Sequence, residues 1–114
     1  MKRNPEDFLA DIQQAIEDIE RFTGGITKAQ FINNHEKVLA TIKLLEIIGE
    51  AVKQLPEATK AQCPDIQWSA IAGMRNILVH VYWDIDTEVI WATINESIPP
   101  LKTAIIQLQK DPLD

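Results

Sequence analysis

The chain has 114 residues, which suits one compact domain over residues 1–114 and leaves little room for a second. Hydrophobic residues make up 46% and charged residues 25%, a composition that excludes a disordered chain. The net charge of −6 disfavours a protein that coats nucleic acid or binds a membrane surface through bulk charge. Any contact with RNA or DNA must therefore depend on a local site, a partner protein or a second copy.

Cysteine content and apolar runs indicate the compartment. A single cysteine, Cys63, excludes an internal disulfide. The first residues are charged and amphipathic and lack an apolar signal core. No apolar run approaches the roughly 20 residues that cross a membrane. We therefore expect a cytoplasmic protein without membrane contact.

The first predicted helix covers about residues 5–22. Pro5 suits a first-turn position, and Gly24-Gly25 should end the helix. Thr27 can then cap a short turn that carries Phe31. The predicted apolar stripe, with steps of three and four, consists of Phe8, Ile12, Ala15, Ile16, Ile19 and Phe22.

The second predicted helix starts after a cap at Asn33 or Asn34, runs to about Leu55 and stops at Pro56. Leu44 and Ile47 widen its apolar face, which favours either packing against two neighbours or a core plus a partner interface. Its main stripe is Val38, Ile42, Leu45, Ile48, Val52 and Leu55.

The remaining chain predicts a short helix or loop over 56–64 and a third long helix through Val81. Asp65 or Ser69 could open that third helix. Asp86 looks like the cap of a last helix, which Pro99-Pro100 should kink or interrupt.

Four main helices with short connections predict an all-α, up-down antiparallel bundle. The core of so short a chain is modest, and a homodimer would add buried area.

Few residues in the chain can carry chemistry. The sequence has no Cys/His cluster, no glycine-rich phosphate loop and no nucleophile elbow, so we expect neither a metal nor a cofactor. One segment stands out, because Arg75, Asn76, His80 and Tyr82 interrupt an otherwise apolar helix. An arginine is almost never buried without a partner, so Arg75 should face a cleft, an interface or an anion.

The spacing of these residues suggests two arrangements. Arg75 and Tyr82 share one helical face, whereas Arg75 and His80 diverge by roughly 140° on a straight helix. Either the helix ends near His80, or a two-fold mate brings a second Arg/His set alongside. In a purely structural interpretation, His80 only makes hydrogen bonds and Arg75 pairs with an acid such as Glu50 or Asp84.

At these residues the sequence resembles HEPN-domain ribonuclease toxins of the HepT type. Arg75, four intervening residues, His80, one residue and Tyr82 match the signature of that family, and Asn76 matches the polar residue after its arginine. The context matches in order: LLEIIGEAVKQL (44–55), PDIQW (64–68), IAGMRNILVHVYWDID (71–86) and VIWATINESIPPL (89–101).

The resemblance implies a homodimeric helical bundle with metal-independent RNA cleavage where two motifs meet. Arg75 and His80 would be catalytic, with Asn76 auxiliary. It also implies a type VII-like toxin–antitoxin system. There an MNT-type nucleotidyltransferase antitoxin transfers AMP from ATP to the motif tyrosine, here Tyr82.

Two other interpretations remain open. The chain could be a non-catalytic helical module that binds a nucleotide or holds the nucleotidyltransferase, with Arg75 and His80 recognising phosphate. It could also be a helical dimer whose polar cluster only sets the register. Trp68, Trp83 and Trp91 could stack bases, but such residues are more often core or interface anchors.

Overall fold

The computed structural model describes residues 3–79 and 85–110, and for residues 75–79 the backbone alone. Every regular element in those two ranges is a helix, which confirms the all-α prediction. The elements are α1 (Pro5–Thr23), α2 (Lys28–Ile32), α3 (His35–Gln54), α4 (Glu57–Ala61), α5 (Trp68–Val79), α6 (Thr87–Glu96) and α7 (Ile98–Lys110).

Helix α3 contacts both α1 and α5, and α7 packs against α1. At one end of the α1/α3 pair, Lys37 Nζ donates to the Phe22 carbonyl at 2.8 Å. At the opposite end, Arg3 and Gln54 line one groove, so α1 and α3 run antiparallel. The predicted up-down order of these helices is therefore confirmed.

The core is formed by apolar residues at helical spacing, as predicted. Phe8, Phe22 and Ile42 are only half-buried, and Leu9 takes a core position instead. The fully buried large side chains are Phe31, Ile12, Ile16, Ile19, Leu45, Ile48, Ile90, Leu101, Ile105, Leu108, Val38 and Val52.

The ends of α1 follow from local chemistry. The Asn4 side chain accepts the Asp7 N–H at 3.1 Å, and the Asn4 N–H donates to the Asp7 carboxylate at 3.0 Å. This reciprocal cap satisfies donors that a helix start leaves unpaired. At the other end, the Gly24 N–H reaches the Glu20 carbonyl, and Gly25 has φ +80°.

The short connections also match their predicted caps. Thr27 caps α2, which buries Phe31. Of the two candidate asparagines, Asn34 caps α3 by accepting the Lys37 N–H at 3.1 Å. Helix α3 ends at Gln54, just before Leu55 and Pro56, and α4 occupies part of the following segment.

Helix α5 does not begin at a cap from Asp65 or Ser69, so that prediction is wrong. It begins at Trp68, and the Gln67 carbonyl accepts the Ile71 N–H. The Trp68 indole N–H lies 3.0 Å from the carbonyls of both Lys60 and Cys63. The tryptophan thereby joins the start of α5 to the end of α4.

The predicted last helix is interrupted near the two prolines, as expected, and so forms α6 and α7. Asp86 caps α6 through the N–H groups of Glu88 and Val89, as predicted. Helix α6 ends at Glu96, and α7 starts one residue later with Pro99 and Pro100 in its first turn. A first turn tolerates proline because its N–H groups have no partner in the helix.

Among the helices that the structure describes, none is both long and apolar enough to cross a bilayer.

Candidate functional site

Helix α5 carries the backbone of Arg75 and Asn76 in its second half. Arg75 follows the buried Ile71 by four residues, so the two backbone positions lie on the same side of the helix. Asn76 is about 100° further round the helix. Two predicted site residues thus occupy neighbouring positions on different sides of α5.

The other two members of the predicted site, His80 and Tyr82, lie outside the described residues, as do Trp83 and Asp84. The proximity of Arg75 to His80 therefore stays a prediction. The helix that leads to them is described as far as Val79.

The outer side of α5 bears small residues. Ser69 and Ala70 are exposed and Gly73 is half-buried. A methyl group placed on Gly73 would meet no atom of the described residues within 4 Å. The backbone position of Asn76 follows that of Gly73 by three residues along the same side of the helix.

A cavity of about 400 Å³ lies between the first half of α5 and the junction of α6 with α7. Ile71 and Met74 form an apolar wall, while Gln67, Thr93 and Glu96 contribute polar groups. No lysine, arginine or histidine is among its described lining residues. No local sequence signal predicts this cavity, since residues distant along the chain build it.

A second, shallower groove of about 340 Å³ lies between α1 and α3. There Arg3 forms an ion pair with Asp11 at 2.7 Å, and its guanidinium stands 4.8 Å from the Phe8 ring centre. Glu50, one of the acids considered as a partner of Arg75, lines the same groove.

The described tryptophans serve packing. The Trp68 indole is hydrogen-bonded to backbone carbonyls, and the ring packs on the core. Trp91 stands against Phe31 with ring centres 5.3 Å apart. Both residues match the anchor interpretation rather than base stacking.

Cys63 is an unreactive type of thiol. The side chain is buried, with Sγ 4.0 Å from the Ala104 carbonyl oxygen. Burial raises the pKa of the Cys63 thiol, and the nearby Asp65 carboxylate raises it further. In residues 3–79 and 85–110, no group of three or more histidine, cysteine or acidic side chains is placed to hold a metal ion.

Comparison with known proteins covers nearly the whole chain. The family model described as "Ribonuclease HepT-like" matches residues 12–108, which include all four motif residues. A protein named "Probable ribonuclease HepT" from Thermococcus cleftensis is 44% identical, over 96% of this chain and 100% of its own length.

Two further relatives carry related names. A protein named "Putative RNase" from Methanocaldococcus jannaschii is 37% identical, over 96% of this chain and 91% of its own length. Another with that name from Caldanaerobacter subterraneus is 36% identical, over 96% of this chain and 98% of its own length. No solved structure matches the chain significantly. The sequence matches over almost every described helix establish that the chain belongs to the HepT-like ribonuclease family.

Proposed function

We propose that this chain is the toxin of a toxin–antitoxin pair and cleaves RNA without a metal ion. The observation that carries the proposal is the family match over residues 12–108, which contains the Arg75, Asn76, His80 and Tyr82 motif. The position of Arg75 and Asn76 late in α5 supports it, because these polar residues interrupt an apolar helix.

The proposed reaction uses a nucleophile that RNA itself supplies. The ribose 2′-oxygen attacks the adjacent phosphorus, and the bond from phosphorus to the 5′-oxygen breaks. His80 moves protons, from the attacking hydroxyl and to the leaving oxygen, because imidazole has an ordinary pKa of about 6.5. The products are a 2′,3′-cyclic phosphate and a 5′-hydroxyl. DNA lacks the 2′-hydroxyl and is not cleaved.

Arg75 would stabilise the charge that develops on the phosphate. Its planar guanidinium can hold two phosphate oxygens at once. Asn76 would orient the phosphate or the imidazole of His80. The roles are those that the family motif implies for these positions.

We propose that two copies form the active unit, with their α5 helices near the two-fold axis. The small residues Ser69 and Gly73 support this arrangement, since they allow the backbone of a second copy to come close. Gly73→Glu fits the open space of a single chain but should oppose two like charges in a dimer. We expect monomers by sedimentation equilibrium and loss of RNA cleavage. Ala10→Glu, on the exposed side of α1, is the control.

The test of catalysis uses purified protein, labelled single-stranded RNA and a metal chelator. We expect Arg75→Ala and His80→Ala each to slow cleavage by about 10²-fold or more. His35→Ala, an exposed histidine at the start of α3, and Arg21→Ala, near the end of α1, should cleave at the wild-type rate. Products with a 5′-phosphate, or a strict magnesium requirement, would contradict the mechanism.

We propose that an MNT-type nucleotidyltransferase silences the toxin at Tyr82. The phenol oxygen attacks the α-phosphorus of ATP, pyrophosphate leaves, and the phenolic proton passes to solvent. The attached AMP places an anion near Arg75 and obstructs RNA. Mass spectrometry should show a gain of one or more AMP units after incubation with the partner and ATP. Tyr82→Phe should stay unmodified and toxic, and silencing of that variant by modification of another residue would count against Tyr82.

A second candidate is a non-catalytic module that binds a nucleotide or holds the nucleotidyltransferase. The net charge of −6 favours it, because affinity for RNA draws strongly on cationic contacts. This candidate predicts that the purified wild-type protein leaves RNA intact, while it binds the nucleotidyltransferase or a nucleotide. Cleavage that both Arg75→Ala and His80→Ala abolish excludes it.

A further inference from the structure

The cavity beside α5 differs chemically from a phosphate site. Its described lining contains two carboxylates, Asp65 and Glu96, and no cationic side chain. Such a cavity repels a phosphate and accepts N–H groups, because ionised carboxylates are hydrogen-bond acceptors only. Its volume of about 400 Å³ lies in the range of small-molecule sites.

The polar groups of the cavity are available to a ligand. Within the part of the chain that the structure describes, the Glu96 and Gln67 side chains have no hydrogen bond or ion pair. The Thr93 hydroxyl donates to the Val89 carbonyl at 2.8 Å, which leaves its oxygen free to accept. Ile71 and Met74 offer a flat ring an apolar surface.

We propose that this cavity binds a guanine base of the RNA substrate, with the Glu96 carboxylate accepting its N1–H and its 2-amino group. The inference rests on the proposed RNA cleavage for the identity of the ligand. Gln67, which lines the same cavity, supplies an amide donor for the guanine O6. Glu96 and Gln67 are therefore specificity-determining residues and take no part in bond breaking.

Guanine fits the cavity better than the other bases because of the hydrogen-bonding groups on its Watson–Crick edge. It alone presents two adjacent donors beside an acceptor, which complements a cavity that is lined by both a carboxylate and an amide. Adenine and cytosine each place an acceptor next to a single amino group, and uracil places one N–H between two acceptors. Readout of that edge requires an unpaired base, as sequence-specific RNA recognition generally does.

Helix α5 carries both residues that line the cavity and the first residues of the motif. Met74 lines the cavity and directly precedes Arg75 in the chain. From Gln67 to Arg75 the helix rises by about 12 Å, at 1.5 Å for each residue. A base in the cavity and a phosphate held by Arg75 can therefore belong to the same stretch of a single strand.

The first experiment measures binding without cleavage, using nucleosides that carry no phosphate. We expect guanosine to shift the NMR signals of cavity residues and to bind at least tenfold more tightly than adenosine, cytidine or uridine. Inosine, which lacks the 2-amino group, should bind about tenfold more weakly than guanosine. Glu96→Gln should weaken guanosine binding about tenfold and shrink the difference between guanosine and inosine.

Two variants serve as comparisons. Glu36→Gln removes the same charge from an exposed position on α3 and should leave guanosine binding unchanged. Asp65→Asn should have a smaller effect than Glu96→Gln. Equal binding of all four nucleosides, or loss of guanosine selectivity in Asp65→Asn alone, would overturn the inference.

The second experiment maps cut positions on a random single-stranded RNA pool. The wild-type protein should cut next to guanosine, and in Glu96→Gln the rate of cutting next to guanosine should fall about tenfold relative to the rate at the other bases. Guanosine binding without any cleavage by the wild-type protein would refute the proposed function but leave the base site intact. Cleavage with the same base preference in wild type and Glu96→Gln would refute the base site alone.

Discussion

Thr41 in α3 is fully buried, and its hydroxyl has no hydrogen-bond partner among the described residues. Burial of an unpaired hydroxyl costs free energy that an apolar side chain of the same shape avoids. We therefore expect Thr41→Val to raise the free energy of unfolding by about 1 kcal/mol. Urea denaturation measures the change. The slope of the free energy of unfolding against urea concentration should stay the same.

Thr23 provides the matched control for this substitution. It is also buried, but its hydroxyl donates to the Ile19 carbonyl at 2.7 Å. Thr23→Val should not raise the free energy of unfolding, because it removes the existing hydrogen bond to the Ile19 carbonyl. Equal stabilisation by both substitutions would show that the unpaired hydroxyl of Thr41 is not the cause.

Cys63 makes a pH-dependent contribution to stability. Its folded-state pKa lies above the ordinary value of 9.0, because burial and then Asp65 disfavour the thiolate. The contribution of the protonated Cys63 thiol to the free energy of unfolding is fully present below pH 9.0. It is lost as the pH rises through the folded-state pKa. The free energy of unfolding of the wild type should therefore fall relative to Cys63→Ala above pH 9.0, measured by denaturant titration across that range. A difference that does not change with pH would contradict this account.

At the scale of elements, the turn after α1 depends on one backbone conformation. Gly25 has φ +80°, in the left-handed region that other residues adopt at a cost. Gly25→Ala should lower the free energy of unfolding by about 1 kcal/mol. Gly25→Asn should cost less, since asparagine tolerates this region better. Thermal unfolding of the two variants side by side provides the measurement, and equal losses would exclude backbone strain as the cause.

Helices α1 and α3 could be predicted closely from the sequence, because several local signals agree in each. The periodic apolar residues, the caps at Asn34 and Thr27 and the break at Gly24-Gly25 all depend on neighbours within a few residues. Such signals do not require knowledge of the tertiary structure. The same holds for Asp86, which caps α6 as expected.

The prediction that was wrong, the start of α5, concerns an element that depends on contacts between segments. Helix α5 starts at Trp68 because its indole bonds to carbonyls of the preceding segment, a contact that no capping rule predicts. The break near the prolines falls at Ser97, upstream of Pro99-Pro100, since a helix can start with proline but not continue through it.

At the scale of the whole molecule, Phe31 links distant parts of the chain. It belongs to the five-residue α2, is fully buried and packs against Trp91 of α6. Phe31→Ala should cost about 3–5 kcal/mol, the usual loss for a large core side chain. Calorimetric unfolding tests this, and Phe22→Ala, at a half-buried position, should cost clearly less. A loss below about 1 kcal/mol would mean that α2 is peripheral to the core.

The site shows a similar division between what local sequence can and cannot indicate. Arg75 and Asn76 stand out along the chain because charged and amide groups are unexpected in an apolar helix. The cavity is different, since nothing in the local sequence relates Gln67 to Glu96, and only folding sets α5 beside the α6/α7 junction.

The packing of α7 against α1 has a consequence for synthesis on the ribosome. Lys102 pairs with Glu20 at 2.8 Å, and Leu101, Ile105 and Leu108 are buried beneath it. Helix α1 therefore packs against α3 alone, without α7, until α7 has left the exit tunnel. A chain released before α7 is synthesised would expose the apolar surface that α7 covers, and such surface makes an incomplete chain prone to aggregation.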